Sequence, residues 1–484
     1  MFKVTIVGAG GYVFPIRLCV DIVACPALRD CRICLYDIHE ERLKATQARV
    51  ERLIEQHELP TVVDATTDRE KALRNADFVI VAFQVGSIDA YRLDVEIPRK
   101  YGLDQCVGDT LGPGGVFRGL RSIAAFQEIC RTMHEVCPEA LVLQYANPMA
   151  INCWAINNLG IKVVGLCHSV QGTTKMLAHR AGLPYDECNF KCYGINHQAW
   201  ITDFKHKGED VYPLIREVML RQNPSPASLN DSYAANGHAN GKVFEQRGLD
   251  HQIEDEHYYY ERVRTEILRT FGYFQTESSH HAGEYLPWFR KNQETIDAYI
   301  AKRWDYFQIS SAHHQADNHT DDYLEKLITE EPTLSEEYGA RIINAMVTGE
   351  PTVIYGNVPN FGAPGSARSL TQSHLIPNLP QPACVEVACL VDRNGIQPTA
   401  PGPLPPQCAA INRTNINVQE LAVLGGLSGD RDAVHHAVAL DPLTGSLLTL
   451  PQIRNLVDEM FEAQQQWLPQ FAAPRTLAAV SAKA

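Results

Sequence analysis

The chain has 484 residues, of which 45% are hydrophobic and 21% charged, an ordinary composition for a globular protein of two or three domains. Its formal net charge of −14 argues against non-specific binding to nucleic acid or to an anionic membrane, because both need a basic surface. The sequence contains no apolar run near the roughly 20 residues that span a bilayer. Its beginning reads as a strand entering a glycine turn rather than as a signal peptide. We therefore expect a cytoplasmic protein that binds neither nucleic acid nor membrane.

The fourteen cysteines are dilute and lie mostly in apolar segments, which favours reduced thiols over disulfides. Cys31 and Cys34 form a CxxC pair, but the pair falls inside a predicted strand, where side chains three apart point to opposite faces. We interpret both thiols as part of the core.

The first half of the sequence alternates apolar runs with amphipathic stretches, a rhythm typical of a parallel sheet covered by helices. The predicted strands, in chain order, are VTIVGAG, RICLYD, DFVIVAF, LVLQYANPM and KVVGLCHSV. Helices are predicted over PIRLCVDIVAC, over EERLKATQARVERLIEQH and near Leu120 to His134. Ligands in such folds gather outside the carboxyl ends of the strands, so Asn147 and Cys167, at two of these ends, indicate a site.

The rhythm changes after about residue 200. Residues 221–242 are polar and rich in Asn, Ser, Ala and Gly, which predicts a mobile loop or lid. Later helices are predicted over DEHYYYERVRTEILRTFG, DYLEKLITEE and IRNLVDEMFEAQQQWL. Residues 359–382 and the Pro-rich 397–407 read as connections, and the Ala-rich end after Pro474 as a disordered tail.

A glycine turn follows the first predicted strand. Gly8, Gly10 and Gly11 lie between that strand and a helix, so backbone N–H groups and the helix N-terminus can meet a pyrophosphate. The third glycine of the full dinucleotide motif is replaced by Val13, and the turn alone is a weak signal. Asp37 ends the next strand, where a carboxylate accepts from a ribose 2′-hydroxyl and repels a 2′-phosphate. We interpret this segment as an NAD site; the alternative for Asp37 is a surface residue that caps a turn.

Two short segments lie thirty residues apart, GLCHSVQGT and GINHQAW. In each, a residue of a type that binds metal ions follows a Gly and an apolar residue at the end of a predicted strand. Cys167 and His197 are the candidate ligands, and two protein ligands leave coordination positions open for substrate oxygens. A thiolate ligand favours zinc or iron, whereas substrate hydroxyls suit a harder ion such as manganese. The residues alone do not choose between these metals.

Motifs along nearly the whole chain, from about residue 3 to residue 470, resemble glycoside hydrolase family 4, and most of all its α-galactosidase (melibiase) branch. The resemblance lies in GAGGYVF, DTLGPGG, YANPMA, GLCHSVQGT, GINHQAW, FGYFQTESSHH, EYLPWF, GEPTVIYGN, CVEVACLVDRNGIQP and TNINVQ. The CHSV motif is typical of that branch. Phospho-sugar members carry Asp or Asn after the cysteine, so His168 implies an unphosphorylated glycoside.

The resemblance implies an α/β protein with an N-terminal Rossmann-type parallel sheet and a C-terminal α+β substrate and metal domain, similar to lactate and malate dehydrogenases. The expected division is residues 1–195 for NAD binding, 196–474 for substrate, metal and oligomerisation, and 475–484 as a tail. A homodimer or homotetramer is implied. The implied chemistry is oxidation of a small α-galactoside at C3 by NAD, elimination across C2 and C1 with the help of Mn2+, addition of water and re-reduction.

The resemblance also assigns roles to single residues. Cys167 and His197 match the metal ligands, and His168 matches the proton donor to the leaving oxygen. Asn147 matches a substrate-hydroxyl contact, and Asp109 an acidic position beside the metal.

The base that removes the C2 proton stays open, because TESSHH stands where other branches carry an Asp. Ser278 and Ser279 occupy that place. The remaining base candidates are Tyr258, Tyr259, Tyr260, Tyr273, His281 and Tyr285.

Three other functions compete with this interpretation. A lactate- or malate-type NAD-dependent dehydrogenase would not need Cys167 and would produce net NADH. An α-galacturonidase or α-glucuronidase of the same family would want an Arg or Lys for the uronate. A non-catalytic NAD-sensing protein would not need the intact set of Cys167, His168, His197 and Asp109.

Overall fold

The computed structural model describes residues 1–226, 261–300, 305–313, 318–361 and 374–472. Its strands are β1 Phe2–Val7, β2 Cys31–Tyr36, β3 Val62–Thr66, β4 Phe78–Val81, β5 Leu141–Gln144, β6 Val163–Leu166, β7 Cys188–Ile195, β8 Gln198–His206, β9 Glu209–Asp210, β10 Phe274–Gln275, β11 Thr352–Pro359, β12 Cys384–Asp392 and β13 Gly395–Pro398.

The helices of the first half are α1 Phe14–Ala24, α2 Glu40–Gln56, α3 Arg69–Leu73, α4 Ser87–Lys100, α5 Gly112–Val136, α6 Met149–Asn158, α7 Ser169–Arg180 and α8 Tyr212–Gln222. Those of the second half are α9 Arg262–Phe271, α10 Ser279–Tyr285, α11 Gln293–Tyr299, α12 Tyr306–His313, α13 Asn318–Thr329, α14 Gly339–Thr348, α15 Pro406–Ser428, α16 Arg431–Leu440, α17 Pro442–Leu447 and α18 Leu450–Gln464.

One sheet runs through both halves of the chain. Six parallel strands stand in the order β3-β2-β1-β4-β5-β6, the order of a dinucleotide-binding doubly wound fold. The sheet then continues with antiparallel strands from the second half in the order β11-β12-β7-β8-β10. The predicted α/β fold, with a Rossmann-type parallel sheet and a mixed second half, is confirmed.

Helices cover the parallel strands on both faces, which explains their nearly continuous apolar sequences. All four residues of β4 are buried, as are all four of β5 and of β6. Cys31 and Cys34 are 0% and 3% exposed, so the interpretation of this pair as core is confirmed. Both thiols are buried although they lie on opposite faces, because each face is covered.

Helix α5 begins at Gly112, eight residues before the segment that the apolar periodicity marks. The GPGG sequence reads as a turn because glycine disfavours helices. Here tight packing requires it: a Cβ on Gly115 would lie 2.4 Å from the carbonyl carbon of Thr110. The glycines let the first turn of α5 press against the loop that carries Asp109 and Thr110.

Several expectations fall outside the described residues. They are most of the polar loop 221–242, the tyrosines Tyr258, Tyr259 and Tyr260, part of the connection 359–382, and the tail 475–484. Within the described ranges, no helix combines the length and the hydropathy that crossing a bilayer requires. The division at residue 195 stays a prediction.

Candidate metal and catalytic site

A sulfur, an imidazole and a carboxylate converge at one edge of the sheet, supplied by Cys167, His197 and Glu277. Sγ of Cys167 lies 3.4 Å from Nε2 of His197, and Oε2 of Glu277 lies 3.7 Å from the same nitrogen. One ligand atom from each residue falls within 4.8 Å of the other two. Three such ligands leave coordination positions open for a substrate, as a catalytic metal requires. The donor set therefore fits a divalent transition-metal ion.

Three different elements bring these side chains together. Cys167 directly follows β6, His197 lies in the two-residue turn between β7 and β8, and Glu277 comes two residues after β10. Thr276 fixes the last of these segments, because its N–H donates to the carbonyl of Ala199 at 2.8 Å. The hydroxyl of Thr276 also accepts from the N–H of Ala199 at 3.1 Å. These two bonds hold Glu277 beside the turn that carries His197.

Both His197 and Glu277 have left-handed backbone conformations, with φ of 60° and 70°. Residues other than Gly and Asn adopt this region rarely, and such strain costs on the order of 1–3 kcal/mol. The surrounding structure must therefore hold the turn. Helix α15 does so, because the amide of Asn412 donates to the carbonyl of Gln198 at 2.9 Å and the amide of Asn415 to Oε1 of Gln198 at 2.8 Å. This contact gives the TNINVQ segment a structural role.

The second ring nitrogen of His197 faces two hydroxyl groups. Nδ1 lies 3.2 Å from Oγ1 of Thr110 and 3.3 Å from the hydroxyl of Tyr285. If Nε2 is to bind a metal, the proton of the neutral ring must reside on Nδ1. A hydroxyl oxygen can then accept it, so Thr110 and Tyr285 select the tautomer that a metal needs.

The hydrogen bonds continue from Thr110 to two residues that the sequence singled out. The hydroxyl of Thr110 also lies 2.8 Å from Oδ1 of Asp109, and the amide of Asn147 donates to Oδ2 of Asp109 at 2.9 Å. Asp109 is 2% exposed. The structure thus connects Asp109 to His197 through the Thr110 hydroxyl, and Asn147 to the same chain of hydrogen bonds through Asp109.

Glu277 is a buried carboxylate held in its charged form. Burial by itself would raise its pKa, but the imidazoles of His281 and His197 lower the pKa to about 2. Burial raises the pKa of the Cys167 thiol to about 12. A metal ion that binds here must displace that thiol proton, because the thiolate is the ligand.

His168 lies beside the ligands but points to solvent, with 61% of its side chain exposed. Its Nδ1 is 3.4 Å from Oε1 of Glu337, which precedes α14. The hydrogen bond to Glu337 raises the pKa of His168, and so favours the protonated imidazole. A protonated, accessible imidazole has the properties of a proton donor.

The glycine turn lies at the carboxyl end of β1, on the same edge of the parallel strands as Cys167. Gly8 has φ of 94°, and a Cβ there would lie 2.8 Å from the carbonyl of Ala82. Asp37 accepts from the N–H of Gly10 at 2.8 Å and from that of His39 at 2.8 Å. Gly11 closes the turn with a 3.3 Å bond from its N–H to the carbonyl of Gly8. The carboxylate of Asp37 therefore organises the turn in which a dinucleotide is expected.

Glu277 is not among the predicted site residues, because the acidic residue of other branches was expected at the serines of TESSHH. Ser278 instead caps helix α10, and the hydroxyl of Ser279 donates to Glu261 at 3.0 Å. Among the base candidates in the described residues, His281 and Tyr285 lie beside the metal ligands. The residues before Glu277 are Phe-Gln-Thr, two of them polar, so they lack the apolar strand signal that precedes Cys167.

Comparison with known proteins identifies the family. Residues 3–183 match the model of the family 4 glycosyl hydrolases, and residues 192–444 match that of the family 4 glycosyl hydrolase C-terminal domain.

Two relatives are similar over nearly the full chain. One is an alpha-galactosidase of Rhizobium meliloti, 36% identical over 97% of this chain and 90% of that protein. The other is an alpha-galactosidase of Bacillus subtilis, 36% identical over 97% of this chain and 100% of that protein.

A solved structure shares the fold. It is a 6-phospho-alpha-glucosidase from gut microorganisms in complex with NAD and Mn2+, with a TM-score of 0.74 and 19% identity over 97% of this chain and 99% of that chain. The two family models together span most of the chain; Cys167 falls in the first matched range, and His197 and Glu277 fall in the second. The chain belongs to glycoside hydrolase family 4.

Proposed function

We propose that this protein is an α-galactosidase that depends on NAD+ and a divalent metal ion. The observation that carries the proposal is the convergence of Cys167, His197 and Glu277 at the sheet edge that also carries the glycine turn. The two α-galactosidases that are 36% identical to the chain support the sugar specificity. Manganese is the proposed ion, because Glu277 adds a hard carboxylate oxygen to the softer sulfur and nitrogen donors.

Bound NAD+ would accept a hydride from C3 of the sugar, and the bound metal ion would polarise the resulting ketone and acidify the C2 proton. Cys167, His197 and Glu277 would hold the ion, and Asp37 with Gly8, Gly10 and Gly11 would hold the dinucleotide.

A base removes the C2 proton, with His281 and Tyr285 as the candidates beside the metal ligands. His168 gives a proton to the leaving oxygen as the C1–O bond breaks, and Glu337 keeps that imidazole protonated beforehand. Asp109 and Asn147 lie where the sugar hydroxyls are expected, and Asn147 contacts one of them. Addition of water would then place a hydroxyl at C1 and a proton at C2, and return of the hydride to C3 would restore NAD+.

A cytoplasmic, homo-oligomeric enzyme acting on a small α-galactoside completes the proposal. All fourteen cysteines lie within the described residues, and none of them forms a disulfide. Reduced thiols in this number are typical of a reducing compartment.

The test is release of p-nitrophenol from its α-galactoside under reducing conditions, with NAD+ and Mn2+ each present or omitted. We expect turnover only with both, and no net accumulation of NADH. Galactose formed in D2O should carry deuterium at C2, because the lost proton is replaced from solvent.

Three results would contradict the proposal. Activity that survives thorough removal of NAD+, or galactose without deuterium at C2, would exclude the oxidation and elimination route. Net production of NADH would favour a lactate- or malate-type NAD-dependent dehydrogenase. Faster cleavage of the matching α-galacturonide than of the α-galactoside would make the enzyme an α-galacturonidase.

A further inference from the structure

A second buried carboxylate, that of Glu284, lies in helix α10 next to Tyr285 and contacts the loop before Asp109. Glu284 is 2% exposed. Its Oε1 accepts from the backbone N–H groups of Cys106 at 2.5 Å and Val107 at 2.8 Å. Its Oε2 accepts from the N–H of Gly108 at 2.9 Å. Three successive N–H groups around one carboxylate form a concave anion site, and each bond is strengthened by the negative charge.

Neighbouring side chains hold the same loop from other directions. The guanidinium of Arg290, which is buried, pairs with Asp104 at 2.6 Å and donates to Sγ of Cys106 at 3.1 Å. The hydroxyl of Tyr91 donates to the carbonyl of Val107 at 2.5 Å. Residues 104–108 belong to no helix or strand, so these side-chain contacts replace the hydrogen bonds of regular structure.

This loop leads directly into the residues that orient His197. Thr110 follows Gly108 by two positions, and Tyr285 follows Glu284 by one. The hydroxyls of Thr110 and Tyr285 are the two groups at Nδ1 of His197. Glu284 therefore connects the two chain segments whose hydroxyls set the tautomer and direction of that ring.

We propose that Glu284 is a positioning residue for the metal-binding imidazole, acting by clamping residues 106–108 so that Thr110 and Tyr285 both reach His197. The inference rests on the metal site of the proposed function. It does not depend on which glycoside is cleaved.

The charge of Glu284 is essential to this role because only a carboxylate presents acceptors on both sides. In Glu284→Gln one oxygen is replaced by an NH2 group, which would face a backbone N–H and repel it. The variant Glu284→Asp keeps both acceptors but shortens the reach by one methylene.

The first measurement is the affinity for Mn2+. It is determined from the electron paramagnetic resonance signal of the free ion, with NAD+ present. Glu284→Gln should bind Mn2+ about 10-fold more weakly, the low end of the effect of losing a direct partner of a metal-binding histidine, because Glu284 acts on that ring through Thr110 and Tyr285. The Mn2+ affinity of Glu284→Asp should lie between that of Glu284→Gln and that of the parent protein. Amide hydrogen exchange over residues 106–110 should be faster in Glu284→Gln even without metal.

A matched control is Asp21→Asn, which also alters a buried carboxylate that accepts from backbone and pairs with an arginine. Asp21 accepts from the N–H of Ser335 at 2.7 Å and pairs with Arg17 at 2.7 Å. This variant should lower thermal stability and leave the Mn2+ affinity unchanged.

A combined variant tests the route through Thr110 and Tyr285. In a background with both Thr110→Val and Tyr285→Phe the two hydroxyls at His197 are already gone, so Glu284→Gln should reduce Mn2+ affinity by less than about threefold further. Full additivity of the two losses would overturn the inference, as would a Glu284→Gln protein that loses stability but binds Mn2+ normally. A parent protein that binds Mn2+ but cleaves no α-galactoside would refute the proposed function alone.

Discussion

The carboxylate of Glu277 stands between two imidazoles. Its Oε1 lies 3.4 Å from Nδ1 of His281, and its Oε2 lies 3.7 Å from Nε2 of His197. Nδ1 of His281 is also 2.8 Å from the hydroxyl of Ser278. One carboxylate thus joins the metal ligands to a second histidine, so a change at Glu277 will affect both.

Glu277→Gln should weaken Mn2+ binding by more than about 100-fold, because it removes a charged ligand and not only a partner of one. Isothermal titration with Mn2+ measures this change directly. The control is Glu266→Gln, whose carboxylate pairs with Arg269 on the same chain segment and away from the ligands. Mn2+ affinity within threefold of the parent protein would show that Glu277 is not a ligand.

Glu337→Gln should reduce activity according to the leaving group. Without the carboxylate His168 is less often protonated, so kcat/KM for a galactosyl sugar should fall roughly 10- to 100-fold, less than complete loss of a general acid would cause, because the imidazole itself remains. p-Nitrophenolate leaves without a proton, and its galactoside should be affected by less than about threefold. Steady-state kinetics on both substrates test this difference. The adjacent Glu336, an exposed partner of Lys175, supplies the control Glu336→Gln, and an equal loss on both substrates would argue against proton donation.

Asp37→Asn should reduce the preference for NAD+ over NADP+ by about tenfold or more. The amide oxygen can still accept from the N–H of Gly10, but the charge that repels a 2′-phosphate is lost, and a charged hydrogen bond contributes about 1.5 kcal/mol or more. Dissociation constants from cofactor fluorescence provide the ratio. Asp68→Asn, which alters the cap of α3 at its 3.0 Å bond to Lys71, should leave the ratio unchanged. An unchanged ratio in Asp37→Asn would assign Asp37 to the turn alone.

Asp441 should make stability depend on pH. Its carboxyl is 1% exposed and accepts from the N–H and hydroxyl of Thr444 at 2.9 and 2.7 Å, yet burial raises its pKa to about 6. The folded protein therefore keeps this proton up to about pH 6, whereas the unfolded chain releases it near pH 4. The contribution to stability is present below pH 4 and is lost as pH rises to 6, by on the order of 3 kcal/mol.

Asp441→Asn removes this titration. Between pH 4 and pH 7 the free energy of unfolding of the variant, measured with urea, should rise relative to that of the parent protein by about that amount. Parallel pH profiles of the two proteins would contradict the raised pKa.

The parallel half of the fold could be predicted because its signals are local. Apolar runs of four to six residues, each followed by a helical pattern, specify buried strands at any position in the chain. The exceptions have a physical reason. The first turn of α5 was missed because its glycines serve a contact with the backbone of Thr110, which the sequence does not display.

The site could be predicted only where its residues carry a local signal. Cys167 and His197 each follow an apolar strand, whereas Glu277 reaches the site through the pairing of β10 with β8, a long-range contact. The role of Glu284 could not be predicted from the sequence, because a carboxylate that binds backbone N–H groups leaves no sequence pattern. The catalytic roles of His168, Asp109 and Asn147 stay predictions.

Strand β6 of the first half pairs with strand β11 of the second half, so the two halves of this protein are difficult to express separately. The pairs Gly356 with Leu166 and Asn357 with Gly165 close the edge of the parallel strands with a strand from the second half. A fragment that stops before residue 192 would expose β6, an apolar strand with unpaired backbone groups, and such an edge promotes aggregation. The two halves should therefore be soluble only when made together, and mixing separately expressed fragments should succeed only if they are refolded jointly.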